Sequence, residues 1–163
     1  MLPSKKYLIN IGVAILLLLL QINTIYIEIN GISPDFLVIF VVVIALIEGQ
    51  FTALLTGFLV GILFDFLGNE ITGTNALTLM LSGFVAGYFF VEEKSFQESI
   101  GIPRFLIALG ISSIIRSVIY QVFHISPTDS KDIVYLLTSL LGSTIYTLSF
   151  GLILMLIAAR KKE

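Results

Sequence analysis

The sequence contains no cysteine and only one histidine, and these absences exclude several kinds of functional site. Without cysteine the chain has no disulfide framework and no thiolate nucleophile, and one histidine alone makes a zinc site unexpected. The serine-hydrolase, zinc-protease and phosphate-binding-loop motifs are also missing from the sequence. We therefore expect no enzyme activity, no metal and no cofactor.

Charged residues are scarce as well, at 12% of the chain, and the formal net charge is −2. Because a nucleic-acid-binding surface needs a basic stripe, we do not expect a nucleic-acid partner. Hydrophobic residues make up 57% of the chain, the mean hydropathy is +1.05, and apolar runs recur from Tyr7 to Ala159. This is more apolar surface than a soluble domain can bury. Residues 1–163 are therefore predicted to form a single integral membrane domain.

The apolar runs predict an all-α polytopic membrane protein, a six-helix transmembrane bundle. The predicted helices cover residues 7–26, 34–48, 51–67, 74–91, 105–125 and 133–159.

The second predicted helix is unusually short, with only about 12 uncharged residues, or roughly 18 Å of helix. Ser33 is the expected N-cap, with Pro34 in the first turn. A hydrocarbon core is about 30 Å thick, so Asp35 and Glu48 must approach the membrane edges unless one of them lies in a protein-lined cavity. The polar break at Glu48 and Gly49 favours a tight hairpin over one long broken helix.

The positions of the basic residues predict the orientation of the bundle. In a six-span arrangement seven of the nine lie on one side, Lys131 lies on the other, and Arg116 lies within a span. The seven are Lys5, Lys6, Lys94, Arg104, Arg160, Lys161 and Lys162. Both termini are therefore expected to be cytoplasmic.

Small residues recur every four positions along the third predicted helix, and a second such motif lies in the fourth. Small residues at this spacing let membrane helices approach closely. The pattern is compatible with packing inside the bundle, with docking of a partner span and with self-association. The residues are Ala53, Gly57, Gly61 and Asp65 in the third helix, and Gly83 and Gly87 in the fourth.

Two ionisable residues, Asp65 and Arg116, fall within the predicted spans at similar depth. A charged residue in the membrane interior is costly and normally finds a partner inside the bundle. We therefore predict an Asp65–Arg116 pair, either as a structural clamp or as a polar site for a partner or ligand. The remaining alternative is that Arg116 bonds to carbonyl groups or lipid phosphates.

Residues 30–90 resemble the family of rod shape-determining proteins called MreD. An early Pro-Asp, a glycine-rich helix ending in Asp, and a Gly-x-Asn-Ala-Leu helix start carry the resemblance. The motif residues are Pro34, Asp35, Asp65, Gly73 and Asn75.

The resemblance implies a non-enzymatic scaffold and regulator of the bacterial cell-elongation machinery in the inner membrane. It implies direct binding to MreC and, through MreC, association with MreB, RodA and the penicillin-binding transpeptidase of RodA. The MreD fold is also similar to the substrate-binding subunit of energy-coupling-factor vitamin transporters. Such a subunit is the alternative function, although the first predicted helix lacks the Ala-x-x-x-Ala spacing often found there.

Overall fold

A computed structural model of the protein describes residues 3–23, 32–68, 73–92, 103–124 and 130–160. Within these ranges the chain forms six α-helices, which confirms the all-helical prediction. They are α1 (Pro3–Ile22), α2 (Phe36–Glu48), α3 (Gln50–Leu67), α4 (Thr74–Ala86), α5 (Pro103–His124) and α6 (Ser130–Arg160).

The helix bounds differ from the sequence-based ones most at α1, which begins at Pro3 where we predicted residue 7, and at α4. This helix ends at Ala86 and continues as a 3-10 turn over Gly87–Phe89, whereas we predicted an α-helix to residue 91. The Gln50 side chain donates a hydrogen bond to the carbonyl of Phe84 (2.9 Å), one of the carbonyl groups that lose their helical partners at a C-terminus. The predicted ends of the first and fifth helices, residues 26 and 125, lie outside the described residues.

Three of the described helices are long and apolar enough to cross a membrane unaided. The spans are Gln50–Leu67, Pro103–Phe123 and Leu137–Ala158, and α1 and α2 carry shorter apolar stretches. The chain is therefore a membrane protein.

The short helix α2 lies at the centre of the bundle and packs against each of the other five helices. Nine of its 13 residues are buried. A helix that is apolar on all sides is stable only when protein or lipid surrounds it. Because other helices cover most of α2, it does not need the length of a lipid-exposed span.

A single residue, Gly49, separates α2 from α3. Its φ is +89°, a conformation that only glycine adopts without strain. The chain therefore reverses direction at the polar break, as expected for the tight hairpin that we predicted from the sequence.

Helices α3 and α4 form the closest pair in the bundle, because glycines line their contact. A Cβ atom added at Gly57 would lie 2.5 Å from the carbonyl oxygen of Leu79, and one at Gly61 would lie 2.4 Å from the Cα of Ala76. Both neighbours are backbone atoms, so a side chain at either glycine would force the helices apart.

The glycines of α4 and of the 3-10 turn that follows it lie equally close to residues of α3. A Cβ atom at Gly83 would lie 2.7 Å from the carbonyl oxygen of Ala53, and one at Gly87 would lie 2.4 Å from the Cβ of Gln50. All four motif glycines thus lie in the contact between α3 and the α4 segment, inside the chain. Internal packing accounts for their spacing without a partner helix.

We expect Gly57→Ala to lower the free energy of unfolding by about 1–3 kcal/mol, the usual cost of overpacking. Gly12→Ala is the matched control, since a Cβ there meets nothing within 4 Å. Thermal unfolding of both variants in the same detergent measures the difference. Equal midpoints for the two variants would contradict the close packing at Gly57.

Candidate functional site

Asp35 lies just before α2, where an extended segment enters the bundle. Its Oδ1 accepts a hydrogen bond from the backbone N–H of Val38 (3.0 Å), so Asp35 is the N-cap of α2. Its own backbone N–H donates to the hydroxyl of Thr147 in α6 (3.0 Å). The expected cap, Ser33, is thus two residues too early, because the helix starts at Phe36.

Arg116 lies in α5 and is only 8% exposed. Its Nη1 forms an ion pair with Oδ2 of Asp35, and its Nη2 donates to Oδ1 of Asn75 in α4 (2.9 Å). The two carboxylate oxygens of Asp35 therefore have separate roles, one capping α2 and the other neutralising Arg116. A buried guanidinium is tolerated only with such partners.

Asp65 in α3 caps α4, the helix that follows it. Its Oδ2 accepts from the backbone N–H of Gly73 (2.8 Å) and of Ala76 (3.3 Å), and its Oδ1 accepts from the backbone N–H (3.1 Å) and the side-chain amide (2.8 Å) of Asn75. The N–H groups at a helix start have no partner within the helix, and a carboxylate there is also favoured by the helix dipole. Asp65 is 1% exposed, so these bonds replace water completely.

The predicted pair of Asp65 and Arg116 is corrected by this geometry. The two residues belong to one chain of contacts, but Asn75 lies between them: its amide nitrogen donates to Asp65 and its amide oxygen accepts from Arg116. Asp65 already receives four hydrogen bonds from the start of α4, and Asp35 supplies the carboxylate that Arg116 requires.

Gln21 connects α1 to the same region. Its side-chain nitrogen donates to the carbonyl of Pro34 (3.3 Å), and its side-chain oxygen accepts from the backbone N–H of Phe36 (2.9 Å). Each of the six helices thus contributes one polar side chain to the region, counting Asp35 with α2. We call this set the interhelical network; it consists of Gln21, Asp35, Asp65, Asn75, Arg116 and Thr147.

The close approach of α3 and α4 positions the centre of the interhelical network. A Cβ atom at Gly61 would lie 2.6 Å from the carbonyl oxygen of Asn75, one turn of α3 before Asp65. Gly73, with φ of +99°, turns the chain into α4 and donates its N–H to Asp65. The four-residue spacing therefore lets a carboxylate on α3 reach the first turn of α4.

The residues that carry the family resemblance converge in this region. Asp35, Asp65 and Asn75 belong to the interhelical network, and Pro34 and Gly73 bond to it through their backbone groups. Sequence reasoning missed Gln21, whose signal was an amide near the end of the apolar run that follows Asn10 in α1. It also missed Thr147, which carried no signal because several hydroxyl residues occur in α6.

The chemistry of the interhelical network is that of a structural connection. It contains two carboxylates, one guanidinium, two amides and one hydroxyl, and its carboxylates are engaged by N–H donors or by Arg116. Among the described residues, no three His, Cys, Asp or Glu side chains lie close enough together to hold a metal ion.

Comparison with known proteins gives one family. A family model described as rod shape-determining protein MreD matches residues 5–130 of the chain. The match includes five of the six residues of the interhelical network and leaves out Thr147. No curated protein matches the chain, and no solved structure matches it.

We predict strong energetic coupling between Asp35 and Arg116. Arg116→Met should cost about 3–5 kcal/mol, because it leaves the Asp35 carboxylate without its counter-ion. Asp35→Asn in the same chain removes that carboxylate while keeping a capping side chain, so the double variant should recover part of the loss. A double-mutant cycle from thermal unfolding should give a coupling of about 0.5–3 kcal/mol.

The Asp65→Asn and Arg116→Met cycle is the control for that measurement. Its coupling should be smaller, because Asn75 separates the two side chains. A larger coupling for Asp65 than for Asp35 would restore the direct pair and refute the arrangement described here.

Asp65→Leu should expose the start of α4 to hydrogen exchange. The backbone N–H groups of Gly73, Asn75 and Ala76 lose their acceptor, and each buried unsatisfied group costs about 1–3 kcal/mol. Asp65→Asn keeps one acceptor oxygen and should give an intermediate effect. Amide exchange measured in detergent should accelerate at these positions and not at Leu109, which is buried in α5; unchanged exchange at residues 73–76 would show that Asp65 does not cap α4.

Proposed function

Because this chain belongs to the MreD family of rod shape-determining proteins, we propose that it is a non-enzymatic scaffold of the bacterial cell-elongation machinery. In this proposal it supports rod shape and lateral peptidoglycan synthesis by binding MreC in the inner membrane. MreB, RodA and the penicillin-binding transpeptidase of RodA join the assembly through MreC. The role in rod shape follows from the family itself, and the partners are the proposal.

The proposal rests on one observation: each helix contributes one hydrogen-bonded polar side chain to the interhelical network. A scaffold must hold its outer surfaces in a constant arrangement, and a polar network inside a membrane bundle gives that rigidity. The same bonds engage the carboxylates that a catalytic site would need for proton transfer. The buried polar groups thus support a structural role better than a catalytic one.

The surfaces available to a partner are the outer faces of the helices. The motif glycines lie against the backbone or side chains of the neighbouring helix inside the bundle, whereas large apolar side chains of α3 face outward, Phe51 at 74% and Phe66 at 67% exposed. Comparable apolar faces occur on α1, α5 and α6. A single-span partner such as MreC would dock on one of these faces through van der Waals packing.

The orientation with both termini in the cytoplasm is part of the proposal. Six membrane-crossing helices return the chain to the side where it began, and seven of the nine basic residues then lie on that side. The short helices α2 and α4 would cross with the support of their neighbours.

The alternative function, a vitamin-binding transporter subunit, requires a ligand cavity open to the outer face. In the proposed orientation Asp35 lies at the outer end of α2. Its carboxylate forms an ion pair with Arg116 of α5 and caps α2, and its backbone N–H is bonded to Thr147 of α6. This arrangement favours the scaffold.

Complementation with site-specific crosslinking tests the proposal. The chain, produced in a rod-shaped bacterium whose own MreD has been removed, is expected to restore cell width and to co-purify with MreC. A photoreactive residue at Phe51, Phe66 or Leu141 should crosslink to MreC on one face only. The buried Leu79, 0% exposed, is the control position and should give no crosslink.

The opposite outcomes are equally clear. A chain that is present at normal level and fails to crosslink MreC from any helix face would refute MreC binding. Uptake or retention of a vitamin by the purified chain would favour the transporter subunit instead.

A further inference from the structure

Two buried polar atoms beside the interhelical network find no hydrogen-bond partner among the residues that the structure describes. They are Nε of Arg116 in α5 and the hydroxyl oxygen of Thr144 in α6. Arg116 is 8% exposed and Thr144 is 6% exposed, so bulk water does not reach either atom. Because an unpaired buried donor or acceptor is costly, such atoms in native proteins normally have a partner. The pair therefore points to a bound molecule.

The contact between α5 and α6 has an antiparallel register. The hydroxyl oxygens of Ser117 and Ser143 are 3.2 Å apart. Toward the start of α5, a Cβ atom at Gly110 would lie 3.8 Å from the side chain of Leu148. Facing positions thus move backward along α5 as they move forward along α6.

This register places Arg116 and Thr144 opposite each other. Each is the neighbour of one of the contacting serines, and both are displaced from that contact in the same direction by about 1.5 Å. Thr144 also shares a helix face with Thr147, three residues further along, and Thr147 accepts a hydrogen bond from the backbone N–H of Asp35. Asp35 forms the ion pair with Arg116. The two unpaired atoms therefore lie on the same side of α5 and α6, next to one carboxylate.

The chemistry of the two atoms selects a small neutral ligand. Nε of Arg116 can only donate a hydrogen bond, whereas the hydroxyl of Thr144 can donate and accept. The charge of Arg116 is already balanced by Asp35, so an anion would be repelled by that carboxylate and a cation by the guanidinium. The direct contact between the two helices one residue away leaves no room for an organic ligand. Water meets these conditions, since buried waters typically bond to two or more polar groups.

We propose that one water molecule binds between Arg116 and Thr144. It accepts a hydrogen bond from Nε of Arg116 and donates one to the hydroxyl oxygen of Thr144. The neighbouring side chain of Asp35 is 16% exposed, which gives water a route to the site. This site is independent of MreC binding, so it can be present or absent whether or not the scaffold function is correct.

The proposed water is a structural connection for α6. Of the three spans long enough to cross a membrane, the one in α6 is the least buried, with 17% of its residues buried against 28% in α3 and 33% in α5. Lipid supplies no hydrophobic drive for helices to associate, so polar bonds and close packing must position such a helix. A water held by Arg116 joins α6 directly to the guanidinium at the centre of the interhelical network.

A crystal structure of the full-length chain, at a resolution that shows ordered waters, tests the site directly. We expect density for one water about 2.7–3.2 Å from both Nε of Arg116 and Oγ1 of Thr144, the usual hydrogen-bond range. Thr144→Val should lose this density, because valine has the shape of threonine without its hydroxyl. Ser149→Ala is the matched control and should keep it, since the exposed Ser149 of α6 bonds only within its own helix, to the carbonyl of Ile145.

Thermal unfolding in detergent measures the contribution of the water. Thr144→Val should lower the unfolding midpoint by about 2–4 °C, and Ser149→Ala should leave it unchanged. In the variant that already carries Asp35→Asn and Arg116→Met, the Thr144→Val change should have little effect, because the water has lost its donor.

Three results would overturn the proposal. The first is a structure in which Nε of Arg116 donates directly to Thr144 or to another oxygen of the chain. The second is density at the site that belongs to an ion or a lipid. The third is a Thr144→Val midpoint equal to that of the unmodified chain, or lowered equally with and without Arg116. None of these bears on crosslinking to MreC at the outer faces, so the water site and the scaffold function can fail separately.

Discussion

A guanidinium buried among membrane helices needs a carboxylate beside it, and this chain supplies that carboxylate from the start of a different helix. Arg116 on α5 pairs with Asp35 before α2, and bonds continue through Asn75 to Asp65 and through the backbone of residues 34–36 to Gln21. Moving any one helix would leave a buried polar group without its partner. Because an unpaired buried charge costs several kcal/mol, the interhelical network determines helix positions that lipid contact alone would leave loosely defined.

The same network explains why α2 can be short and begin inside the bundle. Its N-terminal N–H groups need acceptors, and non-helical backbone at membrane depth is stable only where protein surrounds it. Asp35 meets the first need within its own helix, and Gln21 and Thr147 bond the extended segment that leads into it. In turn, α2 is an apolar rod that all the other helices contact, although a cleft of about 620 Å³ between α1 and α6 leaves one side of it uncovered.

Close glycine packing and the interhelical network stabilise the bundle in different ways. Gly57 and Gly61 bring the backbones of α3 and α4 together without directional bonds, and the approach at Gly61 lets Asp65 reach the first turn of α4. Both devices face inward, so the outer faces are free to meet lipid and partner spans. A rigid interior with apolar outer faces is consistent with the scaffold role that we propose.

Local patterns in the sequence determined the helical membrane class and the reversal at Gly49, because each depends on residues near each other in the chain. They left the small-residue spacing open between internal packing, a partner span and self-association, and only the structure showed the α3–α4 contact. They also identified Arg116 as anomalous, and the family resemblance added Asp35, Asp65 and Asn75 as motif residues. They did not identify the partner of Arg116, since Asp35 lies 81 positions away and looked like an ordinary helix-end residue. Counting residues along a helix gives depth in the membrane. Packing in three dimensions decides which helices are neighbours and which faces of them are in contact. The bonds between helices in the interhelical network therefore follow only from the tertiary structure.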